Sequence, residues 1–159
     1  MPEPLPEPTV NEIRYALLSA PERPLLNKFY RGEGSAMRAS AKGEAWVARA
    51  GEIIAALNLS PVSDGFWLTG LLVAPSWRGR QVARQLIDQA TCAKAGTVWL
   101  FCHPQLLAFY QPLGFELALG MPLLLNERLA RYQRSKPLIA LARCQSSLAG
   151  SSPGNSTSV

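Results

Sequence analysis

Residues 78–83, Arg-Gly-Arg-Gln-Val-Ala, place two cations, a glycine and a small residue in six positions, two residues beyond the apolar run Leu71-Leu72-Val73-Ala74 and Pro75. Beyond them Val82, Ala83, Leu86, Ile87, Ala90 and Ala93 recur at helical spacing. The stretch therefore reads as strand, tight basic turn and helix, the helix expected over 79–95 with Gly96 at its end. A helix start exposes backbone N–H groups and the positive end of the dipole, which together attract phosphate. Gly79 removes a side chain where the backbone must pass close to a ligand, and Ala83 leaves room over the first turn. That is the chemistry of a pyrophosphate cradle. The plain alternative is a pair of solvated arginines at an ordinary turn. Neither the Gly-x-x-x-x-Gly-Lys-Ser/Thr pattern nor the three-glycine dinucleotide fingerprint is present.

Other residues could move protons. His103, the single histidine, follows the apolar run Val98–Cys102, which reads as a buried strand. It falls at the carboxyl end of that strand, where ligands bind in open sheets, and its ordinary pKa suits proton transfer near neutrality. The same position suits a helix N-cap. Cys102 is its neighbour, but successive strand residues face opposite sides, so the two do not form a nucleophilic pair. Cys92, Cys102 and Cys144 show no zinc-like spacing and no disulfide framework, and no metal is expected. A reducing, cytoplasmic setting is the simpler reading of their spacing.

The elements that must position these groups can be read from the rest of the chain. Its 159 residues suffice for one core, and 48% hydrophobic with 17% charged residues is globular composition. Residues 12–18 read as a strand, and the segment after Pro24 as two short helices broken at Gly32 and Gly34. Strands at 45–50, 53–59 and 66–74 form an antiparallel meander, with Gly51-Glu52 as one turn and Pro61–Gly65 as the other. A helix between strands 66–74 and 98–102 makes them parallel neighbours. Then follow a short helix around Leu106–Tyr110, a strand at 115–119, a helix at 124–134 and a strand at 138–143. The expected fold is α/β, a mixed sheet with helices on both faces. The Pro/Glu-rich residues 1–9 and the Ser/Gly-rich residues 145–159 read as flexible segments around one domain, 10–144. The net charge of +5 is spread over scattered arginines and lysines. It gives no contiguous nucleic-acid face, and no apolar run is long enough to cross a membrane.

A second block joins the basic turn. Phe109-Tyr110-Gln111-Pro112-Leu113-Gly114-Phe115 resembles the Phe-Tyr-x-x-x-Gly-Phe block of the GCN5-related N-acetyltransferases (GNATs), and Arg78–Ala83 resembles their Arg/Gln-x-x-Gly-x-Gly/Ala turn. His103 stands where many members have Asn. The resemblance implies a GNAT-like domain with a splayed central strand pair and acetyl-CoA as cosubstrate. Its pyrophosphate would lie on Arg78, Gly79, Arg80, Gln81, Val82 and Ala83, its pantetheine arm along Leu71, Leu72 and Val73, with His103 and Tyr110 nearby. Leu72 N–H would polarise the thioester carbonyl, and Tyr110 would protonate the departing thiolate. The acceptor would be a primary amine of a small molecule or peptide, bordered by Phe29, Tyr30, Trp67 and Thr69. A homodimer is compatible with the resemblance, as is a non-catalytic acyl-CoA-binding protein on the same fold. Two departures stand out. The strand Phe66–Val73 lacks the carboxylate that often serves as base, leaving Glu52, Glu33, Glu44, His103, a relayed water or an amine deprotonated before binding. Gln81 occupies a position usually held by glycine, and is strained there if its φ is positive.

Overall fold

The chain enters through strand β1 (Arg14–Leu17) and helix α1 (Arg23–Gly32), in a computed structural model that describes residues 12–145. Instead of two short helices there is one. Gly32 closes it, and the left-handed residue is Gly34, at φ +77°, beyond its end. Leu26 and Tyr30, one turn apart, are its fully buried residues.

Strands β2 (Glu44–Ala50), β3 (Glu52–Val62) and β4 (Gly65–Val73) form the expected meander. The first turn narrows to Gly51, at φ +85°, between the paired residues Ala50 and Glu52. The second is shorter than Pro61–Gly65, because β3 continues through Pro61, which pairs with Phe66. Pairing to β2 ends at Leu59, so the N–H that proline lacks costs no ladder bond.

Helix α2 (Val82–Thr91) is shorter than the expected 79–95. Gly79 and Gln81 take φ of +79° and +66°, a conformation that cannot continue a right-handed helix, so the helix starts only at Val82. Strand β5 (Gly96–Cys102) follows, then the short helix α3 (Leu107–Tyr110) between two 3-10 turns. Strand β6 is only Glu116–Leu117, since Phe115 turns inward and is fully buried. Helix α4 (Leu123–Tyr132) and strand β7 (Ile139–Gln145) complete the fold. Gln145, expected in the flexible tail, is the last residue of β7; the other residues of both expected flexible segments lie outside those described.

The seven strands form one sheet in the order β1-β2-β3-β4-β5-β7-β6. Its one parallel pair among the described residues is β4–β5. Helix α2 packs through Val82, Leu86 and Ile87 against Leu57, Leu68 and Leu100, forming the larger core. Leu26 and Tyr30 of α1 pack with Val47 and Ala56 in a second core. The expectation of helices on both faces therefore holds.

Candidate active site

The site begins with a break in the sheet. Strands β4 and β5 pair only at Phe66–Val98 and Trp67–Trp99, and beyond Trp67 they separate. Parallel strands that part leave backbone groups needing other partners.

At the same level β4 carries a bulge. Asn58 pairs with Thr69 and Ala56 with Leu72, so Gly70 and Leu71 both oppose Leu57. Gly70 takes φ +65°, and its carbonyl accepts a 2.7 Å hydrogen bond from the Tyr30 hydroxyl. Buried Asn58 adds a second clamp. Its Oδ1 accepts from Ser40 N–H at 2.9 Å, and its Nδ2 donates to the Arg38 carbonyl at 3.0 Å. Tyr30, expected at the acceptor, is thus a fully buried support of the bulge and faces no acceptor.

The basic turn sits beyond β4. Arg78 Nε donates back to the Val73 carbonyl at 2.9 Å, and the Arg80 guanidinium lies 5.0 Å from the Trp77 ring centroid. Both arginines therefore shape the turn. The first hydrogen bond of α2 runs from Gln85 N–H to the Gln81 carbonyl at 3.0 Å. Among the described residues the amides of Gln81, Val82, Ala83 and Arg84 have no acceptor. Arg84 reaches across to the Pro112 carbonyl at 3.0 Å, tying this helix start to the block that carries Tyr110. Four free amides at a helix start form an anion seat.

Gln81 is the strained residue of this seat, at φ 66° and ψ 16°. A left-handed non-glycine residue costs on the order of 1–2 kcal/mol, partly offset when glycine replaces it by the entropy glycine loses on folding. Gln81→Gly is therefore expected to stabilise the fold by about 0.5–1 kcal/mol. It should also tighten CoA binding by clearing a side chain from the seat. Thermal unfolding and calorimetric titration with CoA check the two effects separately.

Two cavities flank the parting strands. The outer one, about 580 Å³, is bordered by Leu72, Val73, Gly79, Gln81, Val82 and Ala83. The inner one, about 410 Å³, is bordered by Thr69, Gly70, Phe101, Cys102, His103 and Lys136. Leu71, Leu106 and Tyr110 border both. Tyr110 is therefore at the junction. It is buried, its ring meets Phe109 and Phe115 edge-on, and among the described residues its hydroxyl has no hydrogen-bond partner. Burial, with a smaller effect from Cys102, raises its pKa well above the ordinary phenol value, so the hydroxyl stays protonated and able to donate.

The remaining expected residues divide. Thr69 and His103 border the inner cavity, and His103 has no side-chain capping bond. Trp67 stands behind it, its ring 5.5 Å from that of Phe101. Glu52, Glu33 and Phe29 border a separate hollow beside the β2–β3 hairpin, apart from Tyr110. Glu44 is engaged by Lys94 at 2.9 Å and by Trp46 Nε1–H at 2.9 Å. Cys102 is buried, as expected of packing. Sequence reasoning missed Phe101, Leu106 and Lys136; no local pattern marks a lone lysine in the loop before β7. Among the described residues no cluster of His, Cys, Asp and Glu could hold a metal.

Solved structures share this architecture. An acetyltransferase of the GNAT family from Staphylococcus aureus Mu50 superposes with a TM-score of 0.59 at 13% identity, over 83% of this chain and 98% of that one. The ribosomal-protein-S18-alanine N-acetyltransferase from Escherichia coli gives 0.60 at 15% identity, over 92% and 99%. An acetyltransferase from Streptococcus agalactiae 2603 gives 0.56 at 14%, over 86% and 100%. The chain thus has the acyltransferase fold of these proteins. No curated protein matches it by sequence. Residues 41–117 match the acetyltransferase (GNAT) domain family, a span that runs from the meander through the basic turn to β6. Fold and match agree on a GNAT-like acetyltransferase fold, with the family's domain pattern carried by residues 41–117.

Proposed function

We propose that the protein transfers an acetyl group from acetyl-CoA to a primary amine of a small molecule, by direct attack within one complex. The observation that carries this reading is Tyr110 at the junction of the two cavities, its protonated hydroxyl without a partner among the described residues. The residues fit the cosubstrate. The free amides of Gln81–Arg84 suit its pyrophosphate, and the unpaired stretch of β4 after Trp67 suits the amide groups of its pantetheine arm.

Acetyl-CoA supplies an activated acyl group and a sulfur leaving group. The chain's own residues do the rest. Leu71, Leu72 and Val73 border the outer cavity and hold the thioester against the strand. Leu72 N–H, expected as the donor to the thioester carbonyl, is instead committed to Ala56 in the ladder with β3. The amine attacks with its lone pair, so a nitrogen–carbon bond forms and the carbon–sulfur bond breaks. Tyr110 delivers its proton to the departing sulfur and regains one from solvent before the next cycle. His103 borders the acceptor side with a ring nitrogen that can take the amine proton, directly or through water. No carboxylate borders either cavity among the described residues. Glu52 would serve only if the acceptor reached across to its hollow.

Release of free CoA thiol from acetyl-CoA, followed with a broad amine panel, tests the reading. Amine-dependent release with a matching acetylated product supports it. CoA binding without release on any amine leaves a non-catalytic acyl-CoA-binding protein as the better reading.

A further inference from the structure

The charges around the inner cavity are one-sided. Its single formally charged lining residue is Lys136, which is exposed and has no ion pair among the described residues. The segment leading to it, from α4 onward, also carries Arg128, Arg131 and Arg134, while Asp and Glu are absent from 128–145. The three ion pairs of the described residues lie elsewhere: Arg49–Glu22, Lys94–Glu44 and Arg143–Asp88. Arg128, Arg131, Arg134 and Lys136 thus form no ion pair among the described residues; the one carboxylate of α4, Glu127, lies one turn before Arg131 and does not border the cavity.

The wall of the cavity points the same way. The Arg128 guanidinium lies 4.8 Å from the Trp67 ring centroid, and Trp67 packs on Phe101, which borders the cavity. Arg128 Nε and Trp67 Nε1 are buried donors without a hydrogen-bond partner among the described residues. Neither residue lines the cavity and both atoms are closed off behind Phe101, so Arg128 acts on a ligand there through its charge and not by contact. A diamine or polyamine would bring its second cation into a field of the same sign, with no carboxylate to hold it. A ligand carrying an anionic oxygen group would meet the opposite situation.

We propose that the acceptor is a small amino carboxylate, an amino acid whose amine reaches Tyr110 while its carboxylate is held by Lys136 in the positive field of Arg128. This rests on the acetyltransferase reading above and names its substrate class. A cavity of about 410 Å³ suits a molecule of that size. Lys136 acts as a point charge on a flexible stem, so the contact selects the carboxylate without fixing the rest of the molecule.

The test compares matched amines: the common α-amino acids, their primary amides and the corresponding decarboxylated amines. The best amino acid is expected to exceed its amide at least tenfold in kcat/KM, chiefly through KM, and the decarboxylated amine by more. Lys136→Gln should bring the acid-to-amide ratio close to one, and Lys136→Glu should invert it. Equal kcat/KM for acid and amide in the wild type, or a ratio that Lys136→Glu leaves standing, overturns the proposal. Calorimetry of the same acid and amide pairs against the CoA-bound protein separates this proposal from the one beneath it. Carboxylate-selective binding without turnover supports the proposal and removes the transferase reading. Turnover without selectivity does the reverse, and binding of neither acid nor amide overturns the proposal.

Discussion

Tyr110→Phe is expected to lower kcat by about a hundredfold while leaving the affinity for CoA within about twofold of wild type. The substitution removes one oxygen from a ring that packs edge-on against Phe109 and Phe115. The packing survives, and the hydroxyl leaves no partner stranded, since it has none among the described residues. A thermal midpoint near that of wild type, together with a lost proton donor, would separate chemistry from folding. The pH profile adds a second check. Burial favours the neutral phenol, so the donor remains protonated beyond pH 10, and no fall in rate below that pH is expected from Tyr110. A variant that keeps more than half of wild-type turnover would move the general-acid role away from this residue.

Gly70→Ala should be the most damaging change to the site that touches no reacting group. Gly70 takes φ +65°, and a Cβ there would lie 2.8 Å from the Tyr30 hydroxyl, 3.0 Å from Met37 Cε and 3.2 Å from Asn58 Nδ2. Met37 can yield, but the Tyr30 and Asn58 groups are committed to hydrogen bonds. The backbone strain alone costs on the order of 1–3 kcal/mol. Weakening the Tyr30 and Asn58 hydrogen bonds adds about 1 kcal/mol each. The expected result is a loss of about 3–5 kcal/mol by denaturant unfolding. Turnover should fall at least tenfold even at temperatures where the variant is folded, because Leu71 and Leu72 would shift with the bulge. A stability loss with turnover per folded molecule unchanged would show that the bulge only builds the fold.

The fold was legible wherever apolar periodicity and turn residues agreed. The meander, the helix after the basic turn and the crossover to β5 all follow from short-range patterns in residues 44–102. Phe109–Phe115 carried enough specific residues to place Tyr110 before any coordinates. What could not be read were contacts between distant segments. Tyr30 was expected at the acceptor from the family resemblance, but only the bulge in β4 shows that its hydroxyl is spent on Gly70. Arg128 lies in the expected helix 124–134 and Lys136 in the loop after it, and no local pattern links either residue to the inner cavity; only the structure brings Lys136 to its border. Gln81 fell between the two cases. The sequence posed the question of positive φ, and the backbone answers that the residue is left-handed and the helix begins one residue later.

The two cavities that meet at Tyr110 have separate rims, Gln81 and Arg84 exposed on one, His103 and Lys136 on the other. For a two-substrate catalyst this is a traffic rule. Neither substrate has to pass through the space of the other, so each can load first, and both products can leave without a fixed queue. Initial-rate lines for the two substrates should then intersect to the left of the ordinate, and neither product should trap the enzyme behind the other. A gap between two strands, opened by one parallel pair that stops at Trp67, thus leaves the order of loading and release free.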